Sequence, residues 1–478
     1  MLLRYFYNDK LAQASYFIGC QQTHEAIVID PARDVEPYLQ AAEAEGMRII
    51  AATETHIHAD FVSGARELAE RCGATLFLSD NGDENWKYQY VDAYDHVLLK
   101  DGDTFKIGNI RFETFHSPGH TPEHISLLLT DTAGADRPMG IFSGDFVFVG
   151  DVGRPDLLEK AASLAGTAQV GARQMFNSLQ RFKQLPDYLQ LWPGHGAGSA
   201  CGKALGAVPS STVGYEKMFN WALSHEDQEP FVAELLAGQP EPPRYFAMMK
   251  HLNKVGPPIL GRQTLPPHLP FHRLEAALKE SSLSDEASPV VDTRTSAAFA
   301  ASHIPGAINI PHDYSFANWA GWLLDYKRPF YLIADHHALE EVARELASIG
   351  LDNCAGYFET SAIEAWAAAG HELQCYENVR PSQIADQIRD GRAVIVDVRN
   401  RSEWDEGHIP GAQHLMLGYL TERSAELASN GKKVVVQCQT GARSAIAASI
   451  LQAQGIVNVA NMMGGFRDWQ LAGLPTEQ

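Results

Sequence analysis

The sequence predicts a multidomain α/β and α+β protein: a layered domain of sheets flanked by helices, then two α/β modules with parallel sheets. Three observations carry this. The chain has 478 residues, which is roughly three domains at about 150 residues each. Eight of its 25 prolines fall between Gly238 and Pro270. Neither a helix nor a central strand tolerates that density, so 241–270 is expected to be an extended connector. Beyond it the sequence repeats. Val-Val-Asp292-Thr-Arg294 returns as Ile-Val-Asp397-Val-Arg399, and Ser302-His303-Ile304-Pro305-Gly306-Ala307 returns as Gly407-His408-Ile409-Pro410-Gly411-Ala412, both at an offset of 105 residues. A period that long marks a duplicated domain. The expected domains are 1–240, 271–372 and 375–478.

Within 1–240, β-rich runs at 15–29, 48–53, 111–115, 125–129 and 140–142 are interspersed with helical patterns at 35–45 and 172–184. Polar motifs follow the strand ends, where loops usually hold chemistry. In the last module, apolar runs at 393–396 and 433–436 have the character of buried strands. Segments 444–454 and 466–472 look helical, with Gly455 and Gly473 as stops. This alternation predicts a parallel sheet with helices on both faces.

Composition excludes several classes. Lys and Arg total 38 against 59 Asp and Glu, a formal charge of −21, which repels phosphate backbones and anionic membranes. The six cysteines form no C-x-x-C pair, which rules out a zinc ribbon or thioredoxin-like motif, and six in so long a chain are not a secreted disulfide framework. No apolar run is long enough to span a membrane, and no signal-peptide core opens the chain. A reducing cytoplasm is therefore the expected setting, with free thiols. Cys20 and Cys72 have the character of core packing, and His24, His96, His116, His124, His225 and His251 are expected to be structural.

Metal-ligand residues cluster in order along 1–240. Glu54-Thr55-His56-Ile57-His58-Ala59-Asp60-Phe61 follows the strand at 48–53. Then come Ser117-Pro118-Gly119-His120, Ser143-Gly144-Asp145 and Pro193-Gly194-His195-Gly196. Each sets a potential ligand beside Gly or Pro, as a tight loop requires. This order resembles the metallo-β-lactamase superfamily, in its glyoxalase II-like branch, and implies an αββα sandwich with the metal at one sheet edge. In the two-metal hydrolases of that branch the first motif reads THxHxDH, and its last His binds the second metal. Phe61 stands there instead and offers no lone pair, while Asp60 and His195 remain.

The single-metal persulfide dioxygenases of the superfamily are more similar. Their pattern implies Fe(2+) on His56, His120 and Asp145, a two-His, one-carboxylate face leaving positions open for O₂ and substrate. His58, Asp60 and His195 then orient the ligands. A competing assignment takes His58 as a third imidazole and gives a Zn(2+) site. The segment Gly153-Arg154-Pro155-Asp156-Leu157 also resembles that family. Arg154 is either a fork for a substrate carboxylate or half of a structural Arg–Asp pair. Cys201, six residues after His195, is either a sulfur relay or a small core residue.

The last module contains Gln437-Cys438-Gln439-Thr440-Gly441-Ala442-Arg443-Ser444, a strand running into a thiol, a short loop and a helix start near Ser444. Backbone N–H groups of such a loop and the helix N-terminus form an anion nest, and with Arg443 they favour the thiolate. The loop resembles that of rhodanese sulfurtransferases. Arg443 lies five residues after Cys438, one fewer than in the phosphatase C-x5-R loop, which suits a sulfane sulfur rather than a phosphate ester. In the first module Asp335 stands opposite Cys438, in a loop two residues shorter. It is expected to be catalytically dead and to serve structure or assembly. Cys354 lies in the wrong place to substitute.

A metal domain followed by a dead and a live rhodanese domain is similar to bacterial persulfide dioxygenase–sulfurtransferase fusions. That resemblance implies oxidation of a low-molecular-weight persulfide by O₂ to sulfite, thiosulfate formation through a Cys438 persulfide, and sulfide detoxification. Self-association is expected. The alternatives are a glyoxalase II-type thioester hydrolase and a sulfur carrier serving a partner protein.

Overall fold

The structure is a computed structural model that describes all residues but 158, 160–165, 204, 262–264, 284–287 and 428–430. It divides into two compact units, Met1–Gln263 with Ala347–Gly350, and Thr264–Leu346 with Leu351–Gln478.

The first unit contains two six-stranded sheets. One has the order β1 (Leu2–Asn8), β2 (Gln13–Cys20), β3 (Glu25–Ile29), β4 (Arg48–Thr53), β5 (Thr75–Ser79), β6 (His96–Leu99). The other comprises β7 (Thr104–Ile107), β8 (Ile110–His116), β9 (Ile125–Asp131), β10 (Gly140–Gly144), β11 (Gln190–Pro193) and β12 (Ser211–Thr212), neighbouring in that sequence. Period-2 alternation distributes their side chains to two faces. Tyr16, Ile18, Ile27 and Ile29 of the first sheet meet Phe112, Leu127, Leu129 and Phe142 of the second in one buried core. On the outer face of the first sheet, Phe17, Val28 and Leu76 pack with Tyr38 and Leu68 from helices Glu36–Ala44 and Ala65–Cys72. On the outer face of the second, Leu128, Ile141 and Leu191 pack with Met175, Leu179 and Phe182 of helix Thr167–Phe182. Covering both faces makes β2 buried along its whole length. These are the four layers of an αββα sandwich.

The second unit holds two parallel sheets. The first has the order β14 (Ile308–Asn309), β13 (Val290–Asp292), β15 (Phe330–Ala334), β16 (Cys354–Glu359). The second has the order β17 (Glu377–Val379), β21 (Val459–Met462), β20 (Lys433–Gln437), β18 (Ala393–Asp397), β19 (Gln413–His414). The repeated Asp-x-Arg motif forms the same clamp in both. Arg294 forks onto Asp292 and reaches Ser302 O at 2.9 Å, while Arg399 forks onto Asp397 and reaches Gly407 O at 2.7 Å.

The proline-rich stretch 241–270 corrects the expected extended connector. It contains the ten-residue helix Phe246–Val255, with Phe246, Met249 and Asn253 buried. Its prolines flank the helix and do not interrupt it, which is where proline is tolerated. Among the described residues no helix is long and apolar enough to cross a membrane.

Candidate functional site

Four loops leaving β4, β8, β10 and β11 bring the metal-type residues together at one end of the sandwich. His56, His120 and Asp145 present one ligand atom each within 4.8 Å of one another, and all three are buried. Asp145 Oδ2 lies 3.5 Å from His120 Nε2 and 3.9 Å from His56 Nε2. The ring orientations are imposed from behind. His120 Nδ1 donates to Arg154 O at 2.9 Å, which leaves Nε2 as the lone-pair nitrogen. His56 Nδ1 meets Thr55 Oγ1 at 3.0 Å, and Thr55 donates to Asp30 Oδ2 at 3.0 Å. Burial, reinforced by the neighbouring imidazoles of His58 and His120, holds His56 well below its ordinary pKa. In His120 burial outweighs the attraction of Asp145 and also lowers the pKa. Both rings are therefore neutral, the state a ligand needs.

His56 Nε2 and both Asp145 carboxylate oxygens are buried with no hydrogen-bond partner among the described residues. Orphaned donors and acceptors of this kind are costly unless a further group satisfies them. Two imidazole nitrogens and a carboxylate fit a divalent cation. The backbone is shaped to the cluster: a Cβ on Gly194 would stand 2.7 Å from Asp145 Oδ1. Among the described residues three non-glycine residues have positive φ, and two of them, Ala12 (φ 51) and Asp30 (φ 49), hold side chains of this site.

His58 does not join the triad. Its Nε2 is 3.0 Å from Asp30 Oδ1, its ring lies 4.3 Å from that of Phe61, and its Nδ1 has no hydrogen-bond partner among the described residues. Asp60 and His195 gather instead with Cys201 in a second buried cluster. Burial, with Asp60 and Asp145 adding to it, pushes the Cys201 thiol up to about 12.

Arg154 is the structural residue of its two readings. Fully buried, it forks onto Asp156 at 3.0 and 2.8 Å and donates to Ala200 O and Pro240 O at 3.1 and 2.6 Å. Four of its five N–H groups are engaged inside the protein, which favours the structural pair over the fork for a substrate carboxylate. It braces the loop carrying Cys201, while its own carbonyl orients His120.

Three positioning residues escaped the sequence reading. Asp30 holds Thr55 and His58. His124, expected to be generically structural, accepts from Asp145 N at 3.0 Å through Nε2. Its spacing from His120 was a usable signal. Asn253 donates to His58 O and Phe61 O and accepts from Ser63 N, clamping the His56–Asp60 loop. Nothing local announces it.

In the second unit β20 delivers Cys438, which is buried, to a loop closed by helix Ala442–Ala453. The helix starts two residues before the expected Ser444, because Gly441 at φ 103 ends the loop. Cys438 Sγ accepts from Gly441 N at 3.1 Å, while the Ser444 hydroxyl, 3.5 Å from the sulfur, gives its proton to Asn461 Oδ1 at 2.6 Å. Gln439 Oε1 accepts from Arg399, and Thr440 O accepts from Gly464 N. Arg443 forks onto Glu403 at 2.6 and 2.7 Å, so its charge is shared with that carboxylate and not aimed at the sulfur alone. In the first module Asp335 accepts from His337 N and caps a short turn where the other module has its nest.

The rhodanese-like domain model matches residues 274–369 and 380–472, and the metallo-beta-lactamase superfamily model matches 8–195. The crystal structure of a metallo-beta-lactamase from Staphylococcus aureus subsp. aureus COL is 43% identical, covering 75% of this chain and 99% of that one with a TM-score of 0.67. The mitochondrial persulfide dioxygenase ETHE1 of Bos taurus is 28% identical over 166 residues, 34% of this chain and 59% of that protein. The hydroxyacylglutathione hydrolase of Gloeobacter violaceus is 36% identical over 171 residues, 36% of this chain and 58% of that protein. The chain thus spans little more than half the length of these curated relatives. With an αββα sandwich whose strand-end loops gather His and Asp, and a duplicated parallel-sheet module later in the sequence, the chain belongs to the metallo-beta-lactamase superfamily and carries two rhodanese-like domains.

Proposed function

We propose that the chain is a non-haem Fe(II) persulfide dioxygenase coupled to a sulfurtransferase. The first activity oxidises the sulfane sulfur of a low-molecular-weight thiol persulfide to sulfite. The second consumes that sulfite through Cys438 to give thiosulfate, a route of sulfide detoxification. The observation that carries the reading is the presence in one chain of a buried two-His, one-carboxylate cluster and a sulfur-cradling thiol loop.

His56, His120 and Asp145 would hold the iron, which when bound supplies the O₂ chemistry. The chain's own groups fix that face. Thr55 and the Arg154 carbonyl set the two rings, and the His124 ring holds the Asp145 backbone. Phe61 occupies a ligand position of two-metal hydrolases with an apolar ring. At the other site the Cys438 thiolate attacks the outer sulfur of a second persulfide. The S–S bond breaks, its electron pair leaves on the carrier thiol, and a cysteine persulfide remains. A sulfite lone pair then attacks the outer sulfur of Cys438, forming the S–S bond of thiosulfate and returning the electron pair to Sγ. Gly441 N–H is placed to hold the sulfur charge.

Iron analysis combined with O₂ uptake on glutathione, coenzyme A and other persulfides tests the proposal. About one iron per chain with uptake is expected. Zinc with thioester hydrolysis and no uptake would instead establish a glyoxalase II-type hydrolase. In Cys438→Ser, sulfite should accumulate and thiosulfate vanish while O₂ uptake continues. Loss of uptake as well would overturn the separation of the two sites.

A further inference from the structure

The hydroxyl beside the transfer thiol is aimed away from it. Ser444 is fully buried, and its Oγ lies 3.5 Å from Cys438 Sγ, yet its hydrogen goes to Asn461 Oδ1 at 2.6 Å. A hydroxyl has one proton and two lone pairs. With the proton committed to the amide, Ser444 turns a lone pair toward the sulfur, which suits an uncharged S–H group and opposes a thiolate. Among the described residues Gly441 N–H is then the one hydrogen-bond donor in place at Sγ, because Arg443 is forked onto Glu403.

Asn461 is itself held. It lies on β21 between the buried Ala460 and Met462 and is 5% exposed. Its Nδ2 donates to Asn378 Oδ1 at 2.9 Å, so Oδ1 is the end of the amide that faces Ser444. Asn461 pairs with Val436, two residues before Cys438. At the same register of the first module, where Asp335 replaces the thiol, Ile333 pairs with Phe358. A polar side chain thus occupies this buried strand position in the module that has a thiol, and an apolar one in the module that lacks it.

We propose that Asn461 is a positioning residue that acts through Ser444 as a charge-dependent donor switch for Cys438. While Sγ is uncharged, as the thiol or as the inner sulfur of the persulfide, the hydroxyl stays on Asn461. When sulfite attacks the outer sulfur and the electron pair of the breaking S–S bond returns to Sγ, the hydroxyl turns to the sulfur. It keeps its proton, and only the acceptor changes. The exchange leaves Asn461 Oδ1 unpaired, a cost that a charge-assisted hydrogen bond to the thiolate offsets. The second donor therefore arrives with the charge it stabilises. A donor fixed on the sulfur would instead lower the nucleophilicity of the thiolate in the loading step. The role of the switch in turnover rests on the sulfurtransferase reading, while its geometry does not.

The pH profile of Cys438 alkylation by iodoacetamide tests it, measured on the intact chain with the site read by mass spectrometry. Asn461→Leu removes the acceptor and commits the hydroxyl to sulfur. The profile should move to lower pH by about one unit, the worth of one hydrogen bond to a charged group. Asn461→Asp keeps and strengthens the acceptor, and should move the profile to higher pH. A disturbance of packing alone would displace both variants the same way, and the Asp substitution decides by itself where the Leu variant does not fold. Added to Ser444→Ala, Asn461→Leu should give the profile of Ser444→Ala alone. A profile that stays put or moves to higher pH in Asn461→Leu, one that moves to lower pH in Asn461→Asp, or a Leu shift that survives Ser444→Ala overturns the proposal. Neither persulfide nor sulfite enters this assay, so the expected profiles without thiosulfate formation would sink the sulfurtransferase reading and leave the switch standing.

Discussion

Replacing Asn253 with Leu keeps the branched shape and heavy-atom count but removes every polar atom of the side chain from a position that is 1% exposed. Three backbone groups of the metal loop lose their partner at once: His58 O at 2.8 Å, Phe61 O at 2.7 Å and Ser63 N at 2.9 Å. Each buried polar group left unpaired costs about 1–3 kcal/mol. Leu fills the space that water would need, so relief by solvent is small. Taking the lower bound for all three gives about 3 kcal/mol, or roughly a hundredfold in local opening. Native-state amide exchange around Ser63 reads this directly, with Asn253→Ala as the milder case because it admits water. The loop carries His56, so metal affinity should fall in parallel. Exchange accelerated less than about threefold, equivalent to about 0.6 kcal/mol, would refute the clamp.

Two further outcomes concern the sulfur-transfer loop. A Cβ on Gly465, which has φ +57, would run into the Cys438 carbonyl and come within 2.8 Å of Thr440 N. Gly465→Ala is therefore expected to abolish thiosulfate formation while leaving O₂ uptake intact, as measured on the same preparation. The Arg443 fork overcomes the effect of burial and lowers the Glu403 pKa below the ordinary carboxylate range. A depressed carboxylate pKa contributes stability that is fully present above the unfolded value of about 4.3 and is lost as pH falls through the folded value. Glu403→Gln should thus be less stable than the parent at neutral pH, with the gap closing as pH falls below the unfolded value and through the lowered folded one, as read by acid unfolding.

How much was legible follows from the range of each interaction. The four strand-end motifs, the 105-residue repeat and the Cys438 loop are written in short spacings, because tight turns at strand ends need Gly and Pro beside the residues they hold. The sequence by itself therefore determined the layered fold, the duplication and the residues that gather as His56, His120 and Asp145. What only the tertiary structure decided depends on partners far apart in the chain. Asn253 reaches the metal loop across 195 and 192 residues, from a stretch whose prolines masked a helix. Arg154 donates to carbonyls 46 and 86 residues away, which hold it inside the fold. Cys201 lies beside Asp60 and His195 because Arg154 holds its loop against theirs. Local patterning encodes which elements form and which side chains their loops present. Only packing fixes which buried polar groups are satisfied, and the groups left over mark the chemistry.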